Sequence, residues 1–188
     1  MLAKRLLPVV VLKRVEWAEP LAESLLAGGL DVIEVTLRTE AALAGIELIR
    51  EKFPEMHVGA GTVLDAEIVP QLKAMGVEFA VSPGLNPKVV EAAGHAGMEI
   101  FPGVANPTDI EAARAMGLKS LIGPYGHTGI RFVPTGGIDA GKAAGYAALD
   151  AVAAIGGSWF VKPGLMEEGK WSEIETMTRD AIELIAGA

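Results

Sequence analysis

Residues 31–38 read Asp31-Val32-Ile33-Glu34-Val35-Thr36-Leu37-Arg38. Strand alternation places Val32, Glu34, Thr36 and Arg38 on one face and Ile33, Val35 and Leu37 on the other. The apolar face must meet covering helices, so the polar face is expected to point into the interior of a closed sheet. Branched apolar side chains are the usual filling there. A carboxylate in such a place is costly: desolvation raises its pKa toward neutrality unless a cation opposes it, the condition for a general acid/base. A Glu34–Arg38 ion pair that merely fills the interior is the competing reading.

Working outward, short apolar runs recur at residues 8–12, 32–37, 58–60, 79–82, 100–104, 118–122, 131–134 and 151–155, with the two-faced apolarity of a buried parallel sheet. Helical segments lie between them. Thr39 precedes 40–52, Asp65 precedes 66–75 with Gly76 after it, and Asn86-Pro87 opens a segment ending near Gly94. Thr108 precedes a segment closed by Gly117, Asp139 one through Leu149, and Ser172 a last helix striped by Ile174, Met177, Ile182 and Ile185. Eight such units predict one α/β domain over residues 1–188, a (β/α)8 TIM barrel. An open doubly wound sheet would leave two or three of the runs unused. One connection is too short: only GPYGHTGI, residues 123–130, joins 118–122 to 131–134. A parallel crossover needs about a dozen residues or more. The sixth βα unit is therefore expected to be incomplete.

Composition narrows the function. Hydrophobic residues make up 51% of the 188 and there is no cysteine, which excludes a disordered chain, a disulfide framework and thiolate chemistry. The net charge of −8 argues against nucleic acid or an anionic membrane as partner. No long uncharged apolar run or signal-peptide pattern is present, so a cytoplasmic location is expected. His57, His95 and His127 fall in separate units without metal-ligand spacing, and no metal is expected. Neither GxGxxG nor GxxxxGK[ST] occurs, so no nucleotide cofactor is expected either.

Gly59-Ala60-Gly61-Thr62 and Ser82-Pro83-Gly84 each put a hydroxyl at the end of a strand, where barrel enzymes keep their sites, although glycines there more often serve turns. Pro134-Thr135-Gly136-Gly137 and Gly156-Gly157-Ser158 end the last two runs. The loops after strands seven and eight commonly build a phosphate site, with backbone N–H groups approaching through glycine, and Ser158 is expected to donate at the start of a short helix.

The segments IEVTLRTE (33–40), GAGTV (59–63), VSPGL (81–85), FVPTGGI (132–138) and AIGGSWFV (154–161) resemble, in order, the 2-keto-3-deoxy-6-phosphogluconate aldolases, which also act on 4-hydroxy-2-oxoglutarate. The resemblance implies a class I aldolase on a (β/α)8 barrel, a homotrimer without cofactor. It would cleave a small keto acid phosphate to pyruvate and glyceraldehyde 3-phosphate through a lysine Schiff base. By matched position Glu34 would be the acid/base, Arg38 and Thr62 would hold the pyruvate carboxylate, and Pro83 would line the pocket. Gly136, Gly137, Gly157 and Ser158 would hold the phosphate.

One interval departs from the family. Its members carry a lysine-phenylalanine-phenylalanine-proline-alanine-glutamate strand end and a helix where Leu121-Ile122 here runs straight into Gly123-Pro124-Tyr125. About 15–20 residues are missing, the size of the absent crossover. The family's Schiff-base lysine lies among them. Lys119 matches a position three residues earlier, on the opposite strand face, and Lys13 has no support. Either the molecule carries a segment that the sequence omits, which is the expectation, or a genuine deletion has left a non-catalytic sugar-phosphate or pyruvate binder. A phosphosugar isomerase with Glu34 as base is a third reading.

Overall fold

The structure, a computed structural model, describes residues 2–116 and 131–188. Among the described residues six parallel strands form one sheet in the order β5-β4-β3-β2-β1-β6. They are β1 (Leu6–Val10), β2 (Val32–Thr36), β3 (His57–Gly61), β4 (Phe79–Ser82), β5 (Glu99–Pro102) and β6 (Ile155–Gly157). The helices are α1 (Ala18–Ala27), α2 (Ala41–Lys52), α3 (Val69–Ala74), α4 (Pro87–His95), α5 (Pro107–Ala115), α6 (Ala140–Ala147), α7 (Pro163–Glu167) and α8 (Trp171–Ala186). From β1 to β5 consecutive strands are neighbours, as expected of parallel βα units, while β6 lies on the other side of β1. Beyond β6, residues 131–134 extend the sheet through a parallel bridge between Phe132 and Val152, and the Gly156 N–H donates to the Pro134 carbonyl at 2.9 Å.

The sheet curls. Ile110 and Ala113 of α5 pack with Phe132, so the helix after β5 reaches the segment at the opposite edge. The outward side chains Leu6, Val10, Ile33, Val35 and Ala80 are buried under the helices. Glu34 faces inward.

Several boundaries differ from those read in the sequence. The run at 8–12 begins at Leu6, because β1 pairs Leu6, Leu7 and Pro8 with Ile155, Gly156 and Gly157. The same pairing makes the glycines a strand, where 151–155 had been expected. Among the described residues, 131–134 are bridged to the sheet at Phe132 and form no strand. α1, unassigned from sequence, fills the first crossover. Asn86 and Asp139 cap α4 and α6 as expected. At α5 the cap is Asn106 in place of Thr108, its side-chain oxygen accepting from the Asp109 N–H at 3.0 Å, and Thr39 turns its hydroxyl to the Leu12 carbonyl. On α8 the fully buried positions are Ile174, Thr178, Ala181 and Ile185, with Met177 and Ile182 half-buried beside them. The sixth run at 118–122, the short connection, Lys119 and His127 lie outside the described residues.

Candidate active site

All eight candidate residues line one cavity of about 370 Å³: Glu34, Arg38, Thr62, Pro83, Gly136, Gly137, Gly157 and Ser158. Leu7, Val9, Val81, Phe101 and Val133 give it an apolar wall.

Glu34 sits at the centre of β2, paired in register with Gly59 of β3, and is 4% exposed. Two inward glycines of β3 make room for large neighbours. A Cβ on Gly59 would fall 2.1 Å from the Phe79 ring, and one on Gly61 would fall 2.0 Å from Glu34 Oε1. Neither glycine has a left-handed backbone, so close approach of a neighbour explains both. The turn reading is corrected accordingly, since both glycines belong to the strand. Glu34 Oε2 is buried without a partner among the described residues. Burial pushes the Glu34 carboxyl from 4.5 up to about 7, against a smaller downward pull from Arg38. No salt bridge joins Glu34 and Arg38, so the interior ion pair is not made.

Arg38 instead donates from Nε to Thr62 Oγ1 at 2.9 Å. Thr62 has φ +59°, a genuine outlier for a β-branched residue. It is pinned on both sides: Leu37 N–H donates to the Gly61 carbonyl at 2.8 Å, and Val63 N–H donates to the Val81 carbonyl at 3.0 Å.

Across the cavity Gly136 and Gly137 have φ +82° and +66°, with open space at both Cβ positions. Here glycine is required by conformation, since a side chain would strain both left-handed positions. Gly157 differs: a Cβ there would fall 1.8 Å from the Trp159 ring. Ser158 leads into a turn, its carbonyl accepting from Val161 N–H at 3.2 Å, and α7 begins only at Pro163. The expected placement of Ser158 at a helix start is therefore corrected. The reading of the sequence missed Gly61 and Trp159, and their role depends on which side chain lies across from them.

Lys13 pairs with Glu167 at 2.6 Å, and no lysine lines the cavity among the described residues. His57 bonds Glu78 at 2.7 Å, and neither it nor His95 lines the cavity.

The family model for KDPG and KHG aldolases matches this chain over residues 1–122 and 117–177. The chain belongs to the KDPG and KHG aldolase family. A 2-dehydro-3-deoxy-phosphogluconate aldolase of Haemophilus influenzae is 38% identical, covering 96% of this chain and 92% of its own length. The KHG/KDPG aldolase of Escherichia coli K12 is 37% identical, over 94% and 90%. Among solved structures, the KDPG aldolase of Legionella pneumophila with pyruvate captured as a covalent carbinolamine intermediate superimposes with a TM-score of 0.88. It is 34% identical and covers 94% of this chain and 93% of that one. The Zymomonas mobilis aldolase with 3-phosphoglycerate gives 0.86 at 36% identity, over 94% and 90%. As a KDPG/KHG aldolase family member the chain is a lyase by descent. It is also shorter than these relatives in its interior. The Haemophilus alignment spans 198 positions, whereas 96% of 188 residues is about 180, so about 18 positions have no counterpart here.

Proposed function

We propose that this cavity binds a 2-keto-3-deoxy-6-phosphosugar acid and cleaves it to pyruvate and glyceraldehyde 3-phosphate, with 4-hydroxy-2-oxoglutarate as a second substrate of the same class. One observation carries the reading: a buried carboxyl with a pKa of about 7 lies between a cation at one rim and a left-handed glycine pair at the other. Arg38, backed by Thr62, takes the carboxylate of the keto acid, as a guanidinium suits that planar anion. Gly136, Gly137, Gly157 and Ser158 take the phosphate. Glu34, near half-ionised at neutral pH, removes the C4 hydroxyl proton as the C3–C4 bond breaks and returns a proton to C3 of the enamine.

The covalent step needs a lysine amine, which attacks the C2 carbonyl and loses water to give the Schiff base. We place it in the positions that relatives have and this sequence lacks, at the 117–122 junction where the two matched pieces of the family model overlap. They would complete the sixth unit and close the sheet into an eight-stranded barrel, since an open edge between β5 and residues 131–134 would leave backbone groups unpaired. Borohydride reduction in the presence of pyruvate, read by intact mass, tests the proposal. The expected result is a parent mass about 2 kDa above 19.6 kDa, plus one reduced pyruvyl group. A parent at 19.6 kDa that traps no pyruvate would refute Schiff-base catalysis by this chain.

A further inference from the structure

We infer that Lys142 and Asp139 form a clasp that orients the phosphate cradle, making Lys142 a positioning residue for phosphorylated substrates. The inference rests on the proposed role of Gly136 and Gly137. Lys142 Nζ donates to the Gly137 carbonyl at 2.8 Å and sits 3.3 Å from Asp139 Oδ2. Asp139 is itself fixed, because its Oδ1 caps α6 by accepting from the Lys142 N–H at 3.1 Å. The lysine therefore ties the glycine turn to the first turn of α6 through both its backbone and its side chain.

The geometric consequence follows from the trans peptide. The Gly137 carbonyl and the Ile138 N–H belong to one planar unit and point in opposite directions. Holding the carbonyl toward α6 aims the N–H the other way, and Ile138 lines the cavity. Glycine alone cannot supply this constraint. With φ +82° and +66° and nothing near either Cβ, the pair is free to rotate unless something outside it fixes the peptide planes. The N–H groups of Gly136, Gly137 and Ile138 make no hydrogen bond to other described residues, which leaves them available to an anion. Lys142 does not line the cavity, and its charge is balanced by Asp139, so its effect is exerted through the backbone.

Calorimetric titration of the full chain with 3-phosphoglycerate, glycerate and pyruvate tests the clasp. Lys142 is 60% exposed in its side chain, so Lys142→Met is expected to fold, with its melting temperature as the check. The wild type is expected to bind 3-phosphoglycerate at least tenfold tighter than glycerate. Lys142→Met should weaken 3-phosphoglycerate about tenfold while leaving pyruvate unchanged, and Lys142→Arg should restore most of the loss. Unchanged 3-phosphoglycerate affinity in Lys142→Met would overturn the clasp and leave the cradle standing. Equal weakening of pyruvate and 3-phosphoglycerate would overturn it as well, since the lysine would then only support the fold. A wild type that does not distinguish 3-phosphoglycerate from glycerate would remove the cradle reading and the clasp with it.

Discussion

Replacing Glu34 by glutamine should stabilise the protein and disable it. The carboxyl titrates near 7 in the folded chain and near 4.5 in a chain without its burial. The native state thus holds its proton more tightly than the unfolded state, and stability is lost as pH rises from about 4.5 through about 7. Each pKa unit is worth 1.36 kcal/mol, so the ionised carboxylate costs about 3 kcal/mol above pH 8. Glutamine reproduces the neutral acid at every pH. Urea denaturation of both proteins at pH 4.5 and pH 8 isolates the effect, because any packing difference of the amide cancels between the two pH values. With a slope of about 2 kcal/mol per molar urea, the variant's midpoint should gain about 1.5 M on the wild type's between those conditions. Aldol cleavage, followed through pyruvate release, should fall by about 10²–10⁴. Midpoints that move in parallel between the two pH values would show that Glu34 is not held in a desolvated site, and the argument for its role would fall.

Gly61→Ala should act through the same side chain: the new Cβ lies 2.0 Å from Glu34 Oε1, so about 1–3 kcal/mol of stability is lost to overpacking and kcat drops by about 10² as the carboxyl is displaced. Full activity with normal stability in that variant would contradict the placement of Glu34. Arg38→Met removes the charge that holds the Glu34 pKa down, so the acid limb of kcat/KM against pH should move upward while KM rises. An unmoved limb would separate Arg38 from the acid/base.

Much of this was legible in the sequence because burial on two sides leaves a dense signal. The alternation in residues 31–38 placed Glu34 inside correctly; the left-handed backbone of Gly136 and Gly137 is a finding of the structure. The errors share a cause. Leu6 through Leu12 is uniformly apolar apart from Pro8, so nothing local says where β1 starts; the register against Ile155–Gly157 decides it. That register also makes a strand of glycines that by propensity alone belong in a loop, tertiary pairing overriding local preference. Gly61 and Gly157 look alike in sequence to Gly136, yet their requirement comes from the Glu34 carboxyl and the Trp159 ring. No one-dimensional pattern names the side chain across a sheet.

Of the two non-glycine residues with a left-handed backbone, Arg5 precedes β1 and Thr62 follows β3 at the cavity, and the geometry shows how the fold holds the threonine there. Thr62 carries a left-handed backbone that costs of order 1–3 kcal/mol. It persists because the ladder binds it from both directions, through Leu37 N–H on Gly61 and Val63 N–H on Val81. Releasing the strain would require breaking backbone bonds on either side in a sheet where β2 and β3 are paired over five residues. With the backbone so fixed, the Thr62 hydroxyl meets Arg38 Nε, and the guanidinium is held at the rim instead of falling onto the Glu34 carboxylate. A direct ion pair would lower the Glu34 pKa back toward the ordinary carboxylate range and remove its capacity to exchange protons at neutral pH. The strained threonine therefore keeps the guanidinium and the buried carboxyl apart, the separation on which the proposed acid/base role of Glu34 depends.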